Sequence, residues 1–281
     1  MRKLVLPKFT VSEALTACLA HVGDPARAAR LLKVQTHLIS SEQDYQHNAI
    51  ATSLHKIEPT DDVLGLLTEK EMTALYNGNF IRTKTQGRQI YDALRAGAIN
   101  GICPLCGVQR ANTLDHHLAK TEYPTFSITP INLVPSCSDC NHSKSTHQPR
   151  SSAEEALHPY YDVIDDARWL FASVVEEQPA SLTFSASPPN CWDTIKRARV
   201  IRHFDSLSLA RLYTSQASDH LPSMRFRLER LLSTTGPSGV REQLLEELND
   251  RLRDRNNSWQ IAMYDALSNS RWYCSGGFVI A

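Results

Sequence analysis

Apolar residues recur at helical spacing through most of the first hundred residues of the chain. Asp24 directly before Pro25 is typical of the cap and first turn of a helix, because a capping carboxylate accepts from exposed backbone N–H groups and proline needs no donor there. Thr68 and Glu71 have the spacing of a capping box, which predicts the start of a further helix. We therefore expect residues 1–99 to be a helical region.

The chain returns to helical periodicity after residue 150, and residues 151–281 are expected to form a second helical region. Residues 162–175 are predicted to be helical, whereas residues 181–187 are predicted to be a short strand. Pro222 and Gly236 are expected to separate the helices in the middle of this region, because proline lacks a backbone donor and glycine favours a break.

Residues 100–150 differ from the sequence on both sides. Prolines and glycines punctuate short segments, which suits turns and short strands rather than long helices. We therefore predict an α+β protein, mostly α, with three parts: residues 1–99, residues 100–150 and residues 151–281.

The composition is that of a soluble globular protein. The 281 residues are 42% apolar, which can support hydrophobic cores, yet no apolar run approaches the roughly 20 residues of a membrane helix. Lys8, Ser12 and Glu13 interrupt the apolar positions that a signal peptide would need, so we expect a cytoplasmic protein without a membrane partner. Thirty basic residues balance thirty acidic ones, which argues against binding nucleic acid through net charge alone.

Four of the seven cysteines form two Cys-x-x-Cys pairs that are separated by 30 residues. Two such pairs can complete a tetrahedral site of four thiolates, which suits zinc. With four protein ligands the site would be closed and structural, and zinc binding can stabilise a segment too short to bury a large core. The predicted zinc ligands are Cys103, Cys106, Cys137 and Cys140.

The segment between the two pairs, and the residue after the second pair, carry side chains suited to metal-dependent hydrolysis. Asp115 and His116 fall on a predicted short strand, and Asn141 lies at the predicted start of a helix. Because carboxylate and amide oxygens suit hard divalent cations, Asp115 and Asn141 are candidate ligands of a catalytic Mg²⁺ or Mn²⁺ ion. An imidazole with a pKa near neutrality can remove a proton from water, so His116 is the candidate general base.

This segment resembles the HNH endonuclease family, whose core of two strands and a helix holds one metal ion. The resemblance is carried by TLDHHLAK and TPINLVPSCSDCNHSK, and it implies a zinc-stapled ββα-metal core flanked by helical regions. It implies that Asp115 binds the metal, that His116 is the base, that Asn132 braces the loop between strand and helix, and that Asn141 takes the family's third position. A second alignment stays open, in which His116 binds the metal and His117 is the base.

Four basic or imidazole side chains in and beside this core are candidate substrate contacts. They are Arg110, His117, Lys120 and Lys144.

The similarity extends to flanking segments such as LYNGNF and HPYYD. Over this wider range the chain resembles the HNH nuclease subunit of Septu-type and retron-associated antiphage systems. Such subunits act with an ABC-type ATPase, so the resemblance implies an ATPase partner and, in retron systems, a nucleic-acid component. The implied role is the nuclease effector of an antiphage defence complex.

Because HNH sites cut DNA most often, the resemblance implies hydrolysis of phosphodiester bonds in DNA. Structured RNA such as tRNA is the alternative substrate, because nothing in the core reads the 2′-hydroxyl. A non-catalytic zinc-stapled binding module is a second alternative. Residues 103–150 carry only four basic and three acidic side chains. A site that grips phosphate through a bound cation needs little net charge, but its affinity for a long polymer would be weak, which favours a separate recruiting subunit.

Overall fold

The computed structural model describes residues 1–143 and 148–279. Within these ranges the protein is α+β and mostly helical, as expected, and its strands pair into three small antiparallel sheets. The chain divides into two compact units, residues 1–163 and residues 164–281. Among the described residues, no helix combines the length and the hydrophobicity needed to cross a membrane.

Helices dominate the N-terminal part of the first unit. The helices are α1 (Val11–Leu19), α2 (Pro25–Ile50), α3 (Glu69–Leu75) and α4 (Gln86–Ala96), and two short strands, β1 (Asp62–Val63) and β2 (Leu67–Thr68), precede α3. Between α3 and α4 the chain makes a π-helical turn, Tyr76–Phe80. Such turns are frequent at functional sites, and this one contacts the candidate site described below.

Both predicted helix starts are confirmed. The Asp24 carboxylate accepts from the Ala26 N–H at 2.9 Å, and Pro25 is the first residue of α2. At α3 the Thr68 N–H donates to Glu71 Oε2 at 3.0 Å, and the Glu71 N–H donates to Thr68 Oγ1 at 3.3 Å. These contacts satisfy backbone donors that have no partner within the helix, which is why the local sequence suffices to predict them.

A β-hairpin and a short helix follow the helices. Strand β3 (Thr113–His116) pairs with β4 (Leu133–Ser136), with Asp115 opposite Val134 and His116 opposite Leu133. Helix α5 (Ser138–Ser143) comes directly after β4 and packs against β3. The order of these elements is strand, strand, helix.

The hairpin and the N-terminal helices share one hydrophobic core. Leu114, Ile128 and Leu133 cluster with buried side chains from α1, α2, α3 and α4. Strands of four residues bury too little surface to be stable by themselves, so the hairpin needs the helices beside it. The change in composition between residues 1–99 and residues 100–150 therefore lies inside one compact unit.

The second unit combines a hairpin with three helices. Strands β5 (Leu170–Val175) and β6 (Ser181–Ala186) pair antiparallel and pack on the helices, which are α6 (Thr194–Ser206), α7 (Leu209–Leu252) and α8 (Trp259–Asn269). The predicted strand at residues 181–187 is confirmed. The helix predicted for residues 162–175 is wrong, because the end of that segment pairs with β6 over six residues.

The predicted break at Pro222 is also wrong, since α7 continues through it. Leu221 and Leu228 are buried near this position, and the packing of α7 against α8 maintains the helix despite the lost backbone donor. The break at Gly236 is confirmed: its φ of 71° and ψ of −168° are non-helical and suit glycine.

Candidate metal centre

The two Cys-x-x-Cys pairs meet in one cluster. The Sγ atoms of Cys103, Cys106, Cys137 and Cys140 lie within 4.8 Å of one another, and all four side chains are buried. A tetrahedral zinc ion with Zn–S bonds of 2.3 Å holds its sulfurs about 3.8 Å apart. Cys106 Sγ lies 4.0 Å from Cys137 Sγ, close to this spacing, so the four cysteines can hold a metal ion such as zinc.

Two different local structures present the thiols. The first pair lies in a tight turn, where the Cys103 N–H donates to the Gln109 carbonyl and the Gly107 N–H donates to the Cys103 carbonyl, both at 2.8 Å. Gly107 has a φ of 70°, which this turn requires and glycine adopts without strain. The second pair lies at the start of α5, where the Cys140 N–H donates to Cys137 Sγ at 3.4 Å.

Without a cation the four thiols cannot all ionise. Hydrogen bonds from Cys106 and the other two thiols hold the pKa of Cys103 below its usual range. The same crowding raises the pKa of Cys140, for which Cys103 is the main cause. A divalent cation would offset the repulsion between thiolates, and its binding would release the remaining protons. The donor set therefore fits a closed structural zinc site.

Asp115 and His116 are consecutive residues of β3, and both are buried, with exposed fractions of 7% and 8%. A buried carboxylate needs compensation from charges or donors nearby. Burial raises the pKa of Tyr76, and electrostatic interactions with Tyr91 and with the Asp115 carboxylate add to that shift. The Asp115 carboxylate is thus close enough to the π-helical turn to act on Tyr76 electrostatically.

The His116 ring is held by a carbonyl and by an aromatic ring. Its Nε2 lies 2.9 Å from the Ser127 carbonyl oxygen, and the Tyr76 ring packs edge-on against it with 4.5 Å between the centroids. Because a carbonyl only accepts, Nε2 carries the proton, and in the neutral ring the lone pair is on Nδ1. Lys120 Nζ lies 5.3 Å from the centroid of the Tyr76 ring.

Asn132 is fully buried and ties together the loop between β3 and β4. Its Oδ1 accepts from the Leu118 N–H at 2.7 Å and from the Tyr45 hydroxyl at 3.1 Å. Its Nδ2 donates to the carbonyls of Leu118 at 3.0 Å and Phe126 at 3.1 Å. The amide therefore joins both ends of the loop that carries the Ser127 carbonyl.

A buried network behind Asn132 was missed by sequence reasoning. The Tyr160 N–H donates to His158 Nδ1 at 3.3 Å, so His158 Nε2 carries the proton and donates to the Tyr45 hydroxyl at 3.0 Å. Tyr45 then donates to Asn132 Oδ1. The His117 ring stacks on His158 with centroids 4.1 Å apart. The HPYYD segment was the available signal, but only the fold shows that it reaches Asn132.

The remaining predicted residues are distributed around the hairpin. Asn141 is half-buried on α5, and its N–H donates to the Cys137 carbonyl at 3.0 Å. Arg110 is exposed and pairs with Ile102 in an isolated β-bridge at the base of the cysteine turn. Lys144 lies outside the described residues.

One curated relative is similar to the chain over nearly all of its length. This is Protein ea31 of Escherichia phage lambda, which is 29% identical over 296 residues, covering 98% of this chain and 100% of the phage protein. No protein-family model matches the chain. No solved structure matches it either.

Proposed function

We propose that residues 100–150 are the core of an HNH-type endonuclease that hydrolyses phosphodiester bonds, with DNA as the first substrate. The observation that carries the proposal is His116, a buried imidazole whose Nε2 is tied to a backbone carbonyl. Asp115 is the preceding residue of β3, and α5 with Asn141 packs against that strand. This arrangement combines a candidate base with oxygen donors for a metal.

Two kinds of metal ion belong to the proposal. The four cysteines would hold Zn²⁺ as a structural ion. Asp115 and Asn141 offer one carboxylate and one amide oxygen, a donor set that suits Mg²⁺ or Mn²⁺ and leaves coordination positions for water and phosphate. When bound there, the ion would stabilise negative charge on the reacting phosphate.

The chain's own residues supply the proton transfer. His116 Nδ1 is the basic nitrogen of the neutral ring and would accept the proton of the attacking water. The Ser127 carbonyl orients the ring and favours the positive charge that the ring then gains. Asn132 positions this carbonyl through its bonds to Leu118 and Phe126. Arg110 and Lys120 are the described candidates for contact with the phosphate backbone.

The proposal extends to an ABC-type ATPase partner in an antiphage defence complex, with a retron nucleic-acid component as a further candidate. Its support is the sequence resemblance, together with the balance of thirty basic and thirty acidic residues. A nuclease with so little net charge would displace few counterions from a long nucleic acid on binding, so a partner that recruits the substrate would raise its affinity.

A cleavage assay tests the proposal. Purified protein is incubated with plasmid DNA and, separately, with total tRNA, with and without Mg²⁺ or Mn²⁺ and with and without a candidate ATPase. We expect metal-dependent cleavage of DNA, and we expect His116→Ala to abolish it while zinc content stays unchanged.

Two further variants complete the test. His142→Ala removes an exposed imidazole of α5 and should cleave like the unmodified protein. His117→Ala should retain cleavage if His116 is the base, whereas loss of cleavage in both variants would support the second alignment, in which His116 binds the metal. Wild-type cleavage by both His116→Ala and His117→Ala would refute the site, and no cleavage in any condition would favour the binding module.

A further inference from the structure

The first unit contains a cavity of about 480 Å³ whose described lining includes none of the candidate catalytic residues or cysteine ligands. Its volume lies within the range of roughly 300–1,000 Å³ in which proteins bind small molecules. The lining comes from three places in the chain, and the residues that matter here are His55, Glu58, Pro59, Tyr123, Gln148 and Arg150.

A buried carboxylate orients the histidine of this cavity. The Glu155 side chain is only 3% exposed, and its Oε1 accepts from the His55 backbone N–H at 2.9 Å and from His55 Nδ1 at 2.5 Å. The carboxylate therefore keeps the proton of the ring on Nδ1. Nε2 is on the opposite side of an imidazole that lines the cavity. A histidine held in this way is prepared to contact a ligand, and the proposed nuclease reaction does not use it.

Hydrogen bonds connect the chain segments that form the cavity. Gln148 Nε2 donates to Glu122 Oε2 at 2.8 Å, and the Glu122 carbonyl accepts from the Thr60 N–H at 3.0 Å. The Ser152 hydroxyl donates to the Thr52 carbonyl at 2.7 Å. These contacts join the segment around residue 150 to the segment after α2, so the cavity exists before a ligand arrives.

Charged, polar and apolar side chains line the cavity together. Arg150 supplies a cation that suits phosphate oxygens, and the unprotonated Nε2 of His55 can accept from a sugar hydroxyl. Pro59 and Tyr123 supply apolar surface, and the Glu58 carboxylate can accept from an exocyclic amine. A phosphate, an apolar planar ring and an amine donor occur together in a nucleotide.

We propose that this cavity binds one nucleoside monophosphate unit, with its phosphate at Arg150, a sugar hydroxyl at His55 and its base near Glu58. The unit can come from a free nucleotide or from a nucleic-acid strand, and the choice of a nucleotide over other phosphorylated molecules rests on the proposed nuclease function. Because Glu58 selects an amine donor, cytosine and adenine are favoured over thymine.

Isothermal titration calorimetry of the full-length, zinc-loaded protein tests the proposal with dCMP, dAMP, TMP, inorganic phosphate and a short 5′-phosphorylated single strand. We expect dCMP and dAMP to bind with Kd below about 1 mM and TMP to bind about tenfold more weakly. Arg150→Ala should weaken dCMP binding at least tenfold, and Glu58→Gln should remove the preference for dCMP over TMP. Arg253→Ala, which removes an exposed arginine of the second unit, should leave binding unchanged.

The remaining arms separate this proposal from the nuclease proposal. His116→Ala should bind dCMP like the unmodified protein even if it cannot cleave. Tighter binding of the single strand than of dCMP identifies a strand as the source, and binding of free nucleotides alone identifies a small-molecule ligand. No heat of binding for any nucleotide, binding that survives Arg150→Ala, or equal affinity for inorganic phosphate and dCMP would overturn the proposal.

Discussion

Replacing Asn132 with alanine removes the amide that joins both ends of the loop between β3 and β4. Four hydrogen bonds are lost, two to Leu118 and one each to Phe126 and Tyr45. Asn132 is fully buried, so water cannot readily replace the amide. The cost of the substitution depends on which of the four partners keep another bond.

Two of the partners are left without compensation. The Tyr45 hydroxyl keeps His158 at 3.0 Å, and the Phe126 carbonyl keeps the Thr129 N–H at 3.3 Å. The N–H and the carbonyl of Leu118 lose the bonds that Asn132 provides. Each buried group left unsatisfied costs about 1–3 kcal/mol, so we expect Asn132→Ala to lower the free energy of unfolding by about 2–6 kcal/mol. This is a large share of the stability of a typical domain.

Urea unfolding of the zinc-loaded protein measures this loss, with zinc release reporting on the first unit. All four tryptophans, Trp169, Trp192, Trp259 and Trp272, lie in residues 164–281, so tryptophan emission follows the second unit separately. Asn77→Ala, at an exposed position of the first unit, is the matched control and should change stability by less than about 0.5 kcal/mol. A loss below about 1 kcal/mol for Asn132→Ala would refute the hydrogen-bond argument.

Three other predictions follow from the same structure. Cys140→Ser removes one of four thiolate ligands and should lower the zinc content after dialysis to well below that of the unmodified protein, measured with a chromogenic chelator. Gly87→Ala would place a Cβ 2.5 Å from the Asn79 carbonyl oxygen and 2.7 Å from Phe80 Cα, so it should destabilise the first unit by about 1–3 kcal/mol in urea. Burial, with a contribution from Arg251, lowers the pKa of His220. The neutral His220 ring therefore stabilises the fold above pH 6.5, and this stabilisation is lost as the pH falls through the folded-state pKa of His220. Thermal unfolding followed by tryptophan emission should show this loss, and His220→Gln should show less of it.

Each of these predictions has a control or a contradicting result. Cys191→Ser changes an exposed cysteine outside the cluster and should keep full zinc content. Gly78→Ala adds a Cβ with nothing within 4 Å and should cost far less than Gly87→Ala, so equal losses would contradict the steric argument. An unchanged pH profile in His220→Gln would mean that other groups cause the acid destabilisation.

Local features of the fold were predictable because they depend on residues close together in sequence. The caps at Asp24 and Thr68 are examples, since each involves a backbone group two or three residues away. The two Cys-x-x-Cys pairs are another, because the spacing of each pair is the signature of a metal-binding turn. The position of the strand with Asp115 followed from the same short-range patterns, whereas the helix with Asn141 begins earlier than predicted, at Ser138.

Long-range pairing decided what the sequence left open or indicated wrongly. Residues 170–175 carry a helical period but become a strand because β6 offers a ladder partner. Tyr45 reaches Asn132 across 87 positions and His158 across 113 positions. The cavity between His55 and Arg150 likewise exists only where distant segments meet.

The amino-acid sequence by itself determined the helix starts at Pro25 and Glu69 and the spacing within each Cys-x-x-Cys pair, and it indicated a candidate base with its neighbouring carboxylate, because each of these features is encoded in a few adjacent residues. Only the tertiary structure decided that the hairpin shares one core with the N-terminal helices, that His116 is tied to the Ser127 carbonyl, and that Asn132 is supported by Tyr45 and His158. The physical reason is burial: a backbone or side-chain polar group removed from water must find a partner, and the folded chain supplies it from distant positions.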